Sequence, residues 1–111
     1  MAKKILIADD EKNIRDVASI ILSREGFHAL SAETCEDAVQ LARQELPDLI
    51  ILDAQFLRSR LQGVDACRML KENSRTKEIR IIGSSSPYAY EDEFLGQVQK
   101  IICQNHIPQN N

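Results

Sequence analysis

Two runs of four consecutive apolar residues, Ile5-Leu6-Ile7-Ala8 and Leu49-Ile50-Ile51-Leu52, stop abruptly at acids, the first at Asp9-Asp10-Glu11 and the second at Asp53. A strand with one wet face alternates apolar and polar residues, so a strand without alternation must be covered on both faces, as inside a parallel sheet. A further strand, Ile79 to Ile82, apolar except for Arg80, ends in Gly83 and the serines Ser84, Ser85 and Ser86. Between the first two runs the period changes. From Lys12 to Arg24 the residues Ile14, Val17, Ala18, Ile21 and Leu22 fall at helical spacing, and Gly26 follows where a helix would stop. Phe27 to Leu30 is then a short strand, and Thr34 with Asp37 three residues later caps a helix buried through Ala38, Leu41 and Ala42 and broken at Pro47. Ala54 to Gly63 is a loop, and Val64 to Glu72 is a helix carrying Cys67 and Leu70. Strand and helix alternate with connections long enough for crossovers, which predicts an α/β fold with a doubly wound parallel sheet.

With 111 residues, 43% of them hydrophobic and 28% charged, the chain has the material for one packed domain, expected over residues 1–111. Its net charge of −3 leaves no basic excess to neutralise a nucleic-acid backbone or an anionic membrane. The apolar run after Met1-Ala2-Lys3-Lys4 is too short for a signal peptide, and no stretch approaches the roughly 18 apolar residues of a membrane span. Cys35, Cys67 and Cys103 are odd in number and form no C-x-x-C pair, which fits core residues in a reducing cytoplasm. His28 and His106 have no metal-ligand spacing and are expected at or near the surface.

In a doubly wound sheet, ligands bind at the carboxyl ends of the strands where the strand order switches. The residues delivered there are Asp9-Asp10, Asp53 and Ser84-Ser85. Carboxylates about 4 Å apart repel by roughly 4 kcal/mol per pair at an effective dielectric near 20, so a cation is expected among them. Every donor is a hard oxygen, which favours Mg²⁺ or Mn²⁺ over zinc. Such a metal-bound carboxylate beside a hydroxyl suits attack on a phosphoryl group, a transfer that needs alignment and neutralised charge more than covalent help. No G-x-G-x-x-G follows the first strand, which disfavours dinucleotide binding.

Three segments, Lys4 to Glu11, Pro47 to Asp53 and Gly63 to Lys71, are similar in order and composition to the receiver domain of bacterial two-component response regulators. The resemblance runs from residue 3 to about residue 86 and implies a flavodoxin-like receiver fold and a signalling role without enzymatic turnover of its own. It implies that Asp53 is the phospho-acceptor and that Asp9 and Asp10 hold Mg²⁺ with Asp53. The backbone carbonyl of Gln55 would complete the metal shell. Ser85 matches the hydroxyl residue that turns toward the phosphoryl group, with Ser84 the alternative one register earlier, and Ser86 matches the adjoining small residue. The implied partners are a histidine kinase or phosphotransfer protein and a downstream protein target; the implied location is the cytoplasm.

The chain departs from the family pattern in three places. The stretch from Ala54 to Gln62 is longer than usual, with Leu57 where a proline is common, and Arg58 and Arg60 add charge to it. No Lys-Pro occurs anywhere, so the family's lysine at the end of a fifth strand has no counterpart, Cys103 or Gln104 being the nearest positions. Only 25 residues follow Ser86, against roughly 35 or more for two helices, a strand and their loops, so the fold is expected to be truncated or degenerate after the fourth strand. Tyr90 to Gln104 reads as a helix with Phe94, Val98, Ile101 and Ile102 on one face; alternatively, Val98 to Cys103 is a fifth strand. The helix is favoured and would leave the fourth strand as a sheet edge, open to a symmetric homodimer. Two other function classes stand beside the phosphorylated receiver. One is a pseudo-receiver acting as a protein-interaction or dimerisation module. The other is an aspartate-dependent phosphatase, disfavoured because Gln55 stands where a second acid is needed.

Overall fold

The computed structural model describes residues 2–53 and 61–84, which form four strands and three helices. In chain order these are β1 (Lys4–Ala8), α1 (Lys12–Arg24), β2 (His28–Ala32), α2 (Cys35–Glu45), β3 (Leu49–Asp53), α3 (Gly63–Lys71) and β4 (Arg80–Ser84). All strand pairings are parallel, in the order β2-β1-β3-β4. The chain steps outward from β1 to β2, then passes back across β1 to reach β3. Crossovers of one hand that run in opposite directions put their helices on opposite faces of the sheet.

The side chains confirm this division. Ile5, Ile7, Leu49 and Ile51 pack with Ala18, Ile21 and Leu22 of α1. Leu6, Ala8, Ile50 and Leu52 point the other way, against Cys35, Ala38, Val39 and Ala42 of α2 and Ala66 and Leu70 of α3. The two unbroken apolar runs therefore reflect alternate residues serving different cores. Ile5, Leu6, Ile7, Leu49, Ile50 and Ile51 are all but inaccessible, and each contributes about 1.5–3 kcal/mol of transfer free energy.

Local signals set the element ends. The Asp37 N–H donates to Thr34 Oγ1 at 3.1 Å, with Glu36 and Asp37 placed favourably in the first turn of α2. That helix ends at Leu46, which adopts a left-handed conformation (φ 47°, ψ 61°) ahead of the buried Pro47. Gly26 (φ 89°) supplies the same handedness after α1 without steric cost. At α3, Asp65 reaches back to accept the Gln62 N–H at 3.0 Å. After α3 the buried Thr76 hydroxyl donates to Leu70 O at 2.6 Å, and Lys71 Nζ donates to Ile79 O at 3.0 Å, tying the link to the start of β4. At the amino ends of the central strands, Lys4 N–H donates to Asp48 Oδ2 and Asp48 N–H donates to Lys4 O, both at 2.8 Å.

Three expectations shift. The second strand is His28–Ala32 rather than Phe27 to Leu30, because pairing with β1 sets its register while the Phe27 N–H donates to Leu22 O at the end of α1. The fourth strand runs to Ser84, one residue beyond Gly83, and starts at Arg80. Within the helices, Val17 (44% exposed) and Val64 (75% exposed) lie off the buried stripe, and Leu41 is only partly buried, so Cys35 and Val39 take the inner positions of α2. Cys67 is also only partly buried, whereas His28 is exposed as expected. Gln55, Leu57, Arg58, Ser85, Ser86, Tyr90 to Gln104 and His106 lie outside the described residues, and with them the choice between a last helix and a fifth strand.

Candidate functional site

β1 and β3 lie side by side, with Ala8 paired to Leu52, so the residues that follow, Asp9 and Asp53, are neighbours at the carboxyl ends of the two strands. Asp10 is carried by the turn into α1. One carboxylate oxygen from each of Asp9, Asp10 and Asp53 lies within 4.8 Å of the others. On the far side of β3, Asp53 is paired with Ser84, which puts the start of the serine run beside the same crevice. This is the switch point of the sheet, where β1 sits between strands reached in opposite directions.

Asp9 is held on several sides. Its N–H donates to Ala32 O at 3.1 Å, its Oδ1 accepts the Glu11 N–H at 2.9 Å, and its carbonyl accepts from Arg15 Nη1 at 2.8 Å. Only 4% of it is exposed. Burial pushes its carboxyl up to about 6, opposed by the Glu11 N–H and reinforced by the charges of Asp53, Asp10 and Glu11. Beside the crevice a cleft is lined by Asp10, Glu11, Lys12, Asn13, Arg15 and Glu33. Negative charge reaches deeper as well: the buried Cys35 thiol is pushed up to about 12, first by burial and then by Glu36, Asp65 and Asp53. Cys35 is therefore a core residue and no nucleophile at neutral pH.

The donor set fits a hard divalent cation. It consists of three carboxylates, with no thiolate or imidazole among them; Asp9 is raised first by burial, and the neighbouring charges of Asp53 and Asp10 add a repulsion that a cation would relieve. Of the sequence-predicted site residues, the structure brings Asp9, Asp10 and Asp53 together, while Gln55 and Ser85 lie outside the described residues. Arg15 belongs to the site without any motif to mark it. The available signal was electrostatic: the first turn of α1 has no acid, and Lys12 and Arg15 stand at the positive end of the helix dipole. Cations there need compensation, and the adjoining acids provide it.

Comparison with known proteins supports the same architecture. Residues 5–100 match the family described as the response regulator receiver domain. The phosphate regulon transcriptional regulatory protein PhoB of Escherichia coli is 31% identical over 96 residues, covering 86% of this chain and 41% of PhoB. The alkaline phosphatase synthesis transcriptional regulatory protein PhoP of Bacillus subtilis is 38% identical over 72 residues, covering 65% of this chain and 29% of PhoP. The chain thus spans less than half the length of these relatives. Among solved structures, NtrX from Brucella abortus superimposes with a TM-score of 0.68 at 32% identity over 75% of this chain and 18% of NtrX. The chemotaxis response regulator CheY4 of Vibrio cholerae gives 0.81 at 20% identity over 91% of this chain and 99% of its own, a likeness of fold. A family match over most of the sequence, joined to a relative of this identity and coverage, means that the chain belongs to the response regulator receiver domain family, the signalling modules of two-component systems.

Proposed function

We propose that this chain is a phospho-acceptor receiver, phosphorylated on Asp53 with Mg²⁺ and switching protein–protein contacts in a phosphorelay. The observation that carries the proposal is the convergence of Asp9, Asp10 and Asp53 at the carboxyl ends of β1 and β3. Asp9, Asp10 and Asp53 would hold the metal, with the Gln55 carbonyl completing its shell, and the bound cation would offset negative charge on the incoming phosphoryl group. An Asp53 carboxylate oxygen forms the bond to phosphorus as the bond to the donor's leaving group breaks, its electron pair departing with the donor. Asp9 keeps its place through the Glu11 N–H, and Ser85 (Ser84 in the alternative register) supplies the hydroxyl that marks the modified state. The proposed donors are a histidine kinase or a phosphotransfer protein. A downstream protein reads the changed surface, and the receiver has no enzymatic role beyond this transfer.

Intact-mass analysis after incubation with acetyl phosphate and Mg²⁺ tests the proposal. The parent should gain the mass of one phosphoryl group and Asp53→Asn none; no gain in the parent overturns it. A second reading, a pseudo-receiver that binds protein or dimerises without phosphorylation, draws support from the missing Lys-Pro. It predicts the unmodified mass.

A further inference from the structure

The Asp9 carbonyl occupies an unusual place in the sheet. In a parallel ladder, a residue whose N–H reaches one strand residue receives a bond on its carbonyl from the residue two positions further along. Asp9 N–H reaches Ala32 O, so the matching donor would be Thr34 N–H. β2 stops at Ala32, and Thr34 is instead the cap of α2. Arg15 fills the missing rung: its Nη1 donates to Asp9 O at 2.8 Å from six residues away, across the whole β1–α1 turn.

That turn carries both Asp9 and Asp10. We propose that Arg15 is a positioning residue for the acidic crevice, bracing the β1–α1 turn through the Asp9 carbonyl so that the Asp9 and Asp10 carboxylates are presented to one divalent cation. The inference rests on the metal reading above and deepens it. Outer-shell groups that orient metal ligands typically change affinity by about 10–100-fold when removed. The sign of the effect separates bracing from simple charge. Removing a cation near a metal site lowers repulsion and should tighten Mg²⁺ binding, whereas loss of a brace should weaken it.

The test is calorimetric titration of the full chain with magnesium chloride, comparing the parent, Arg15→Met and Lys12→Met. Lys12 lines the same cleft and pairs with Asp16, so its variant removes a neighbouring charge without touching the turn. Arg15→Met should bind Mg²⁺ about tenfold more weakly or worse, while Lys12→Met binds as the parent does or slightly tighter. If Arg15→Met fails to fold by circular dichroism, Arg15→Gln carries the same expectation. Equal or tighter binding by a folded Arg15 variant overturns the inference while leaving the metal reading intact. A parent that binds no Mg²⁺ overturns both.

Discussion

Asp9 makes the electrostatic state of the crevice measurable. Its carboxyl titrates near 6 in the folded chain against an ordinary 3.8, so between those values the native state holds a proton that the unfolded chain has released. Its stabilising contribution is complete below about pH 4 and is lost as the pH rises through about 6, a change on the order of 3 kcal/mol. Urea titrations in chelator should therefore show stability falling toward neutral pH. Asp9→Asn, which can still accept the Glu11 N–H, should flatten that fall. An unchanged slope in the variant would place the titrating group elsewhere. Cation binding acts in the opposite sense: a ligand at ten times its dissociation constant stabilises the native state by about 1.4 kcal/mol. Millimolar Mg²⁺ should raise the melting temperature of the parent, and Asp10→Asn should remove most of that rise. If Asp10→Asn keeps the full effect, the ion binds somewhere else.

At the scale of elements, α2 shows how two unlike ends fix a helix. Thr34→Ala should cost about 1 kcal/mol by removing the acceptor for Asp37 N–H. At the other end, Leu46 holds a left-handed backbone that glycine adopts freely. Leu46→Gly should gain roughly 0.5–1 kcal/mol and Leu46→Val should lose stability, opposite shifts in one denaturation assay. Both substitutions moving the midpoint the same way would mean that packing of this half-exposed side chain governs the site. The same elements show what could be read from residues alone. α1 was legible to its ends because Gly26 and the apolar stripe agree, and the buried runs fixed β1 and β3 with their acids. β2 was not, since its limits come from pairing with β1, a long-range constraint with no local trace. The burial of Leu41 was overestimated because its face of α2 meets only the edge of the second core. The converging carboxylates were legible through topology; Arg15 was not, because its bond replaces a rung that β2 fails to supply.

For the molecule as a whole, the strand order leaves β4 with a single neighbour among the described residues. If Tyr90 to Gln104, outside the described residues, is a helix, that edge, on which Arg80 alone is charged, is open and a twofold dimer is the proposal; a fifth strand at Val98 to Cys103 would instead cover it within one chain. Light scattering over a dilution series should show a dimer giving way to monomer, and a monomer at every concentration would exclude the pairing. The reciprocal bonds between Lys4 and Asp48 bear on the molecule mechanically. They tie β1 to β3 at the end remote from the acids, while at the other end the same strands bring the like charges of Asp9 and Asp53 together. The central pair is thus anchored like tongs at the handle, with its like charges gathered at the tips. Amide exchange should follow that gradient: Mg²⁺ slows exchange at Asp53 and Glu11 and leaves Lys4 and Asp48 unchanged. A reporter group fixed near Glu45 or Asp48 would then follow tumbling and assembly of the chain while remaining blind to events at the tips.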